Sequence, residues 1–521
     1  MAFIGKNVIE NLTTAMYEDL RIIYREYIQN AADSIDKAIA RKLITPEEAR
    51  IDIEIDSKQR TITVVDNGVG ISCSNFKEVM SRIADSEKDR SEEKGFRGIG
   101  RLGGISSCET LRFSCSAPGE KIVSVCTWDA KEVQAILVDS GRNPSAADLV
   151  DMTTTYSTET CDADTHFFKV EMLDIEASAL ELLDVDNVIK YLESVAPIPY
   201  AVGFLFAKRI KDYACENGFC IDEYQVFVNG NRLFKPYTTN LYEPKNSYKQ
   251  TYDTLLDVKF EKFTDNAGNL LAWMWYGISR FEKQIPSINP MRGIRLRKGN
   301  IQIGNENTFA SHDFYDEPRG GLYFVGEVFA VSADLIPNAR RDYFNLNTTC
   351  RTFERELRPL FHDKFKKIYH YANDYKKALQ KQQDLVASQE EYQRKVETGG
   401  FLDAEDKQKA EDAIKEKQKL AEKAAKQNEN RDSKEKEDDV LARIYTALRT
   451  EYPVQKEKPE EKTKPEPKQT GKGKQYMTQS LSKYNKKEQK LISHIYGILK
   501  AILPRDTATM VINKIQEELS K

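Results

Sequence analysis

Glu26 and Asn30 stand four residues apart in the stretch REYIQNAADSIDK (residues 25–37), and Asp33 follows three residues later. In a helix this spacing puts a carboxylate, an amide and a second carboxylate along one stripe. Such a set suits a general base, a ligand for a hard cation and a supporting group. Leu20, Ile23, Tyr24, Tyr27, Ile28, Ala31 and Ile35 recur at helical spacing and give the stretch a buried face. Taken alone, it also reads as an ordinary amphipathic helix with a solvated polar side.

Two further stretches carry chemistry. In VVDNGVGIS a strand runs directly into Asp66, Asn67, Gly68, Val69 and Gly70. An acid at a strand end followed by glycines lets a flat ligand approach the backbone, with Asp66 accepting from an exocyclic amine; DNG is also a common turn sequence. The run EKGFRGIGRLGGIS (residues 93–106) holds Gly95, Gly98, Gly100, Gly103 and Gly104 just before an apparent helix start. Its backbone N–H groups suit phosphates, helped by Arg97 or Arg101. It lacks GxxxxGK[ST], so it is no P-loop, and no strand leads straight into it as a dinucleotide fingerprint requires. A glycine hinge without a ligand is the alternative.

The elements that must hold these residues alternate between helix and strand. Residues 6–43 read as helix interrupted near Tyr17 and Glu18. Residues 50–56 and 60–65 read as strands joined by an SKQ hairpin turn, 76–83 as helix and 84–97 as a charged loop. LRFSCS, KIVSVCTW, EVQAILVD and HFFKVEML read as further strands. The expected fold class is α/β, an α+β sandwich of helices on a mixed sheet ending near residue 175. A second α/β region spans 185–350 through QVFVNGNRLF, LLDVKFEKF, LLAWMWYGI, GIRLRKGNIQIG and LYFVGEVFAV. Residues 351–450 read as a helical or coiled-coil region, 451–475 as a disordered linker with seven lysines and four prolines, and 476–521 as a small helical element. The apolar stripe Leu491, Ile492, Ile495, Ile498, Leu499, Ile502 and Leu503 in that element suits self-association or docking on a partner.

A chain of 521 residues implies two to four domains. The net charge of −4 gives no global electrostatic case for nucleic-acid or membrane binding. The eight cysteines form no CxxC pair and no zinc spacing, which fits small apolar residues in a reducing compartment. No run approaches the roughly eighteen apolar residues of a membrane span, and no secretory signal pattern opens the chain, so the expected location is cytoplasmic.

In this order and at these spacings, the three motifs resemble the boxes of the GHKL superfamily of ATPases, which share the Bergerat fold. The signature helix of the heat shock protein 90 chaperones, R-E-L-I-S-N-S-x-D-A-L-D-K, matches REYIQNAADSIDK in residue character, and RIADSEKD is similar to the start of their lid. GFRGIGRLGGISSCETLRF resembles the lid of MutL-type ATPases. DTHFFKVEML resembles the last box, with Asp164 where a glycine is usual. ADLIPNARRDYF is similar in spacing to the chaperone middle-domain loop D-L-P-L-N-x-S-R-E.

The resemblance implies a GHKL ATP-binding domain over 1–175 and a middle or transducer domain over 185–350, with ATP and Mg²⁺ as cofactors. It implies Glu26 as general base, Asn30 as Mg²⁺ ligand, Asp66 and Gly70 as adenine contacts, Gly98 and Gly100 around the phosphates, Thr165 in the last box and Arg341 on the γ-phosphate. Arg297 and Lys298 are the alternatives to Arg341. The implied protein is an ATP-hydrolysing molecular clamp with nucleotide-dependent N-terminal dimerisation, a homodimer for which a protein client is one candidate object and whose object stays open. The alternative is a MutL- or MORC-like ATPase switch acting on nucleic acid in repair or defence. The tail does not match the chaperones' folded dimerisation domain.

Overall fold

A computed structural model describes residues 5–13, 19–83, 100–435, 438–454 and 483–520. Gly98, Arg97, most of the lid stretch and most of the expected linker lie outside the described residues. Two compact units divide the chain, residues 1–366 and 367–521.

In the first unit, helices α1 (Asn7–Thr13) and α2 (Ile22–Ala40) precede strands β1 (Arg50–Asp56) and β2 (Thr61–Asp66). Helix α3 (Cys73–Ser81), strands β3 (Cys108–Ser116) and β4 (Ile122–Asp129), helices α4 (Ala130–Val138) and α5 (Ala146–Thr153), and strands β5 (Thr154–Thr160) and β6 (Phe167–Ile175) follow. An eight-stranded sheet has the order β5-β4-β3-β6-β2-β1-β7-β8, where β7 is Gln225–Val228 and β8 is Asn231–Arg232. Period-two alternation sets its faces. Ile51, Ile53 and Ile55 of β1, with Ile62 and Val64 of β2, are buried in one core with Tyr24, Ile28, Ala31 and Ile35 of α2. The same parity carries Asp66 to the buried face. This mixed α/β architecture is the expected one.

Two segments differ from the sequence reading. EVQAILVD, expected as a strand, is helix α4. The side chain of Asp129 accepts from the Glu132 N–H and caps it, and Ala130, Val133 and Ile136 bury one helical face. QVFVNGNRLF, grouped by sequence with the second region, extends the first sheet: β7 runs parallel to β1 with Ile51 opposite Val226.

Helix α6 (Val185–Val195) leads toward a second, five-stranded sheet of order β11-β12-β15-β13-β14. Its strands are Asp257–Thr264, Leu270–Ile278, Val325–Ala330, Gly293–Lys298 and Ile301–Ile303 in that order. Between the sheets, Asn240–Lys245 and Tyr248–Thr254 form a separate hairpin of strands β9 and β10. Strand β12 is buried along nearly its whole length, as expected of a central strand covered on both faces. Trp273 stacks on Phe329 at 4.4 Å between centroids. Beside this apolar packing lies a fully buried charge cluster. Lys235 Nζ is 3.1 Å from Glu327 Oε2 and 2.7 Å from Asn300 Oδ1, while Arg297 and Tyr200 also donate to Glu327. Burial pushes the Glu327 carboxyl up, but the charges of Arg297 and Lys235 outweigh it and hold the carboxyl down at about 2.

The second unit is helical, as expected. Lys366–Glu397 and Ala404–Glu435 are long helices broken at Gly399 and Gly400, and Asp439–Glu451 buries Val440, Leu441, Ile444, Tyr445 and Leu448. Tyr375 stacks on Tyr445 at 4.1 Å. Lys486–Ile502, opened by an Asn485–Glu488 capping box, and Arg505–Ser520 form a terminal pair.

Candidate functional site

Helix α2 is the wall from which the site is built. Its apolar stripe fixes the roll of the helix, so the residues at 26, 30 and 34 share the adjoining stripe. Glu26 is buried, at 5% exposure. Its Oε1 lies 3.2 Å from Arg341 Nε, and its Oε2 lies 2.3 Å from where a Cβ on Gly100 would stand. Gly100 must therefore be glycine for the carboxylate to keep this place. Asn30 follows one turn along, half-buried, with its amide on the same stripe.

Ser34 comes one turn further and meets the end of β2. Its side chain hydrogen-bonds Asp66, whose Oδ1 also accepts from the Gly68 N–H at 2.9 Å. Burial pushes the Asp66 carboxyl up to about 7, against those two hydrogen bonds. Gly68 lies against Ser34, where a Cβ would stand 2.1 Å from Oγ. Gly70 has φ +60°, and a Cβ there would fall 2.0 Å from the Ser116 carbonyl oxygen, so both conformation and space demand glycine. His166 Nδ1 is 2.8 Å from the Gly68 carbonyl oxygen. Thr165 precedes β6, whose Phe168 is opposite Asp66 in the sheet.

The described part of the glycine run, Gly100–Ser106, is a short 3₁₀ helix directly ahead of β3 rather than the opening of an α-helix. The Tyr27 hydroxyl accepts from the Gly104 N–H at 3.1 Å and so ties this turn to α2. Arg101 turns away, donating to the Arg82 carbonyl.

Arg341 reaches Glu26 from a loop 315 residues distant in sequence. A bridge between Pro337 and Phe344 closes the loop, and the Asn338 N–H donates to the Tyr343 carbonyl at 2.9 Å. Arg341 itself sits at φ +58°, a left-handed conformation costly for a side-chain-bearing residue and one the closed loop imposes. The sequence alternatives are engaged elsewhere. Arg297 is in the buried cluster, with Nη1 on the Asn300 carbonyl at 3.0 Å and Nη2 on the Ser194 carbonyl at 3.1 Å. Lys298 Nζ donates to the carbonyls of Val331 at 3.2 Å and Ser332 at 2.7 Å.

The structure thus brings together Glu26, Gly100 and Arg341, and around Ser34 it brings together Asp66 and Gly68. Sequence reasoning missed Ser34 and Tyr27. Continuing the four-residue step from Glu26 and Asn30 arrives at Ser34, whereas Asp33 is buried off that stripe and bears electrostatically on Tyr224. A buried carboxylate beside an arginine, an amide oxygen one turn away and a carboxyl acceptor at the far end suit a nucleoside phosphate held lengthwise along α2.

Residues 19–160 match the family model described as histidine kinase-, DNA gyrase B-, and HSP90-like ATPase. The chaperone protein HtpG of Serratia proteamaculans is 34% identical over 87 residues, which is 16% of this chain and 14% of that protein. HtpG of Salmonella typhi is 24% identical over 163 residues, 28% of this chain and 26% of its own length. HtpG of Shigella dysenteriae is 26% identical over 143 residues, 24% and 23% respectively. The chain spans about a quarter or less of the length of these relatives.

Proposed function

From the premise that residues 19–160 form a GHKL, HSP90-like ATPase domain, we propose that this protein is an ATP-hydrolysing molecular clamp whose N-terminal domains dimerise when ATP is bound. The adenine amine donates to the Asp66 carboxylate, with Gly70 leaving room for the ring. The triphosphate runs along α2 toward Gly100, Gly98 keeps its expected role around the phosphates from outside the described residues, and Thr165 borders the adenine end. Glu26 orients the attacking water and takes its proton. Arg341 lies against the charge that develops on the transferred phosphoryl group. The Asn30 amide oxygen is a hard donor that fits Mg²⁺, which would neutralise phosphate charge when bound.

The observation that carries this reading is the Glu26–Arg341 pair at 3.2 Å. The arginine pairs with the carboxylate that must act as base. When a γ-phosphate competes for Arg341, Glu26 is released to bind water. Substrate binding and loop engagement are thereby one event, as a clamp requires. Cytoplasmic location, a homodimer and a protein client belong to the same proposal. The eight cysteines form no disulfide, and among the described residues no helix is long and apolar enough to cross a membrane.

The nucleic-acid alternative calls for an exposed basic surface such as RGIRLRKGN (residues 292–300), but Arg295 and Arg297 there are buried and ion-paired, so they form no exposed basic strip. Mass measurement of wild type and Glu26→Ala, each with and without ATP, tests the clamp. A dimer that accumulates with ATP in Glu26→Ala is the expected result. A species of unchanged mass in every state contradicts it.

A further inference from the structure

Arg341 also lines a cavity of about 610 Å³ whose walls include none of Asn30, Asp66, Gly70 or Gly100. Arg25 and Arg341 meet it from the catalytic side, Lys190 from α6, and Arg292, Arg295 and Arg340 from the second α/β region. With Arg21, seven cationic side chains face three carboxylates. Those carboxylates are already committed: Asp19 to Arg21 at 2.9 Å, Glu306 to Arg295 at 3.2 Å and Arg292 at 3.8 Å, and Asp342 to the Asn338 amide. Glu26 holds Arg341 at 3.2 Å from outside these walls, and the lining still carries more cationic than anionic side chains in a partly desolvated place, where an oxyanion gains most.

One neutral group narrows the chemistry. Gln302 lines the cavity at 3% exposure and spends its Nε2 on the Gly304 carbonyl at 2.9 Å. Its buried Oε1 accepts no hydrogen bond among the described residues. Arginine forks match tetrahedral oxyanions, and an acceptor with no donor calls for a ligand that carries one O–H. Hydrogen phosphate has both features, whereas sulfate lacks the donor.

We infer that this arginine-rich cavity is a phosphate-binding site separate from the nucleotide pocket, with Gln302 accepting the phosphate hydroxyl. Its phosphate has two chemical sources. One is the product released across the Glu26–Arg341 pair, which rests on the proposed ATPase; the other is phosphate or a phosphomonoester from solution.

Calorimetric titration of the full chain with inorganic phosphate, and in parallel with sulfate, tests the site without requiring turnover. Saturable phosphate binding is expected, with sulfate about tenfold weaker for want of one hydrogen bond to a buried group. Lys190→Gln/Arg340→Gln, which alters two exposed side chains and so spares the fold, should weaken phosphate about tenfold or more. Gln302→Leu should bring phosphate down to the level of sulfate. Phosphate should still bind when a non-hydrolysable ATP analogue is present at saturation. Absence of phosphate binding, binding indifferent to the double substitution, or complete displacement by the analogue overturns the site. Single-turnover hydrolysis read with a fluorescent phosphate sensor separates the sources. Faster phosphate release in the double variant, after an unchanged hydrolysis step, assigns the site to product. Unchanged release, with equilibrium binding still lost, assigns it to phosphate from solution. A protein that binds phosphate in this way yet hydrolyses no ATP would refute the ATPase reading and leave the site standing.

Discussion

In the proposed nucleotide site, Asp66 acts through its proton. Burial raises its carboxyl from 3.8 to about 7, so the folded protein keeps a proton that the unfolded chain releases. This contribution to stability is fully present below about 3.8 and is lost as pH rises through about 7. Nucleotide binding has the opposite sign, because an adenine amine needs the ionised acceptor. Calorimetry between pH 8 and pH 6 should show ATP affinity falling by about tenfold, with protons released on binding near neutrality. An affinity flat across that range would remove Asp66 from the contact. Steric predictions sit beside it. Gly70→Ala sets a Cβ against the Ser116 carbonyl at positive φ, so it should lower the melting temperature and abolish nucleotide binding. Gly100→Ala presses first on the Glu26 carboxylate, which can swing away, and then on the Glu26 Cβ at 3.1 Å. It should slow turnover and cost less thermal stability than Gly70→Ala, as paired activity and melting assays would reveal. Glu26, Asn30 and Asp66 were legible because strand and helix periods place them without tertiary knowledge. Ser34 was equally on the stripe, but a serine carries too common a chemistry to stand out.

Among elements, those with clear periodicity were legible and those fixed by distant partners were not. The alternation in β1 and β2 foretold the buried face on which Asp66 lies. EVQAILVD is too short for its apolar residues to tell strand from helix, and the Asp129 cap decided the matter. Strand β7 was recognisable as a strand, but its pairing with β1 is a long-range register that no local pattern encodes. The Lys235–Glu327–Arg297 cluster was invisible for a related reason, since Glu327 looks like any surface acid until β15 is buried between its neighbours. Glu327→Gln would leave two buried cations without their counter-charge. It should destabilise the second α/β region by about 3–5 kcal/mol, measured by denaturant unfolding. A loss under about 1 kcal/mol would mean the cluster is solvated in solution.

In the whole molecule, the decisive contact joins residues at opposite ends of the first unit, Glu26 on α2 and Arg341 on its strained loop. Neither spacing nor composition links them; the resemblance only put both beside one γ-phosphate. The terminal helices of the second unit expose Leu491, Ile498 and Ile502, so self-association there is separable from ATP-driven closure. Arg341→Ala should reduce turnover about 10²-fold or more while leaving ATP affinity within a few-fold, because its charge is needed most as the phosphoryl group transfers. The central claim is that this chain hydrolyses ATP with Glu26 as base. Steady-state ATP hydrolysis by wild type and Glu26→Ala, with nucleotide affinity measured on the same samples, tests it most directly. Turnover by wild type, reduced about 10²–10⁴-fold in Glu26→Ala at retained ATP affinity, is the predicted result. Equal turnover in both proteins, or ATP bound and never hydrolysed by wild type, would contradict it.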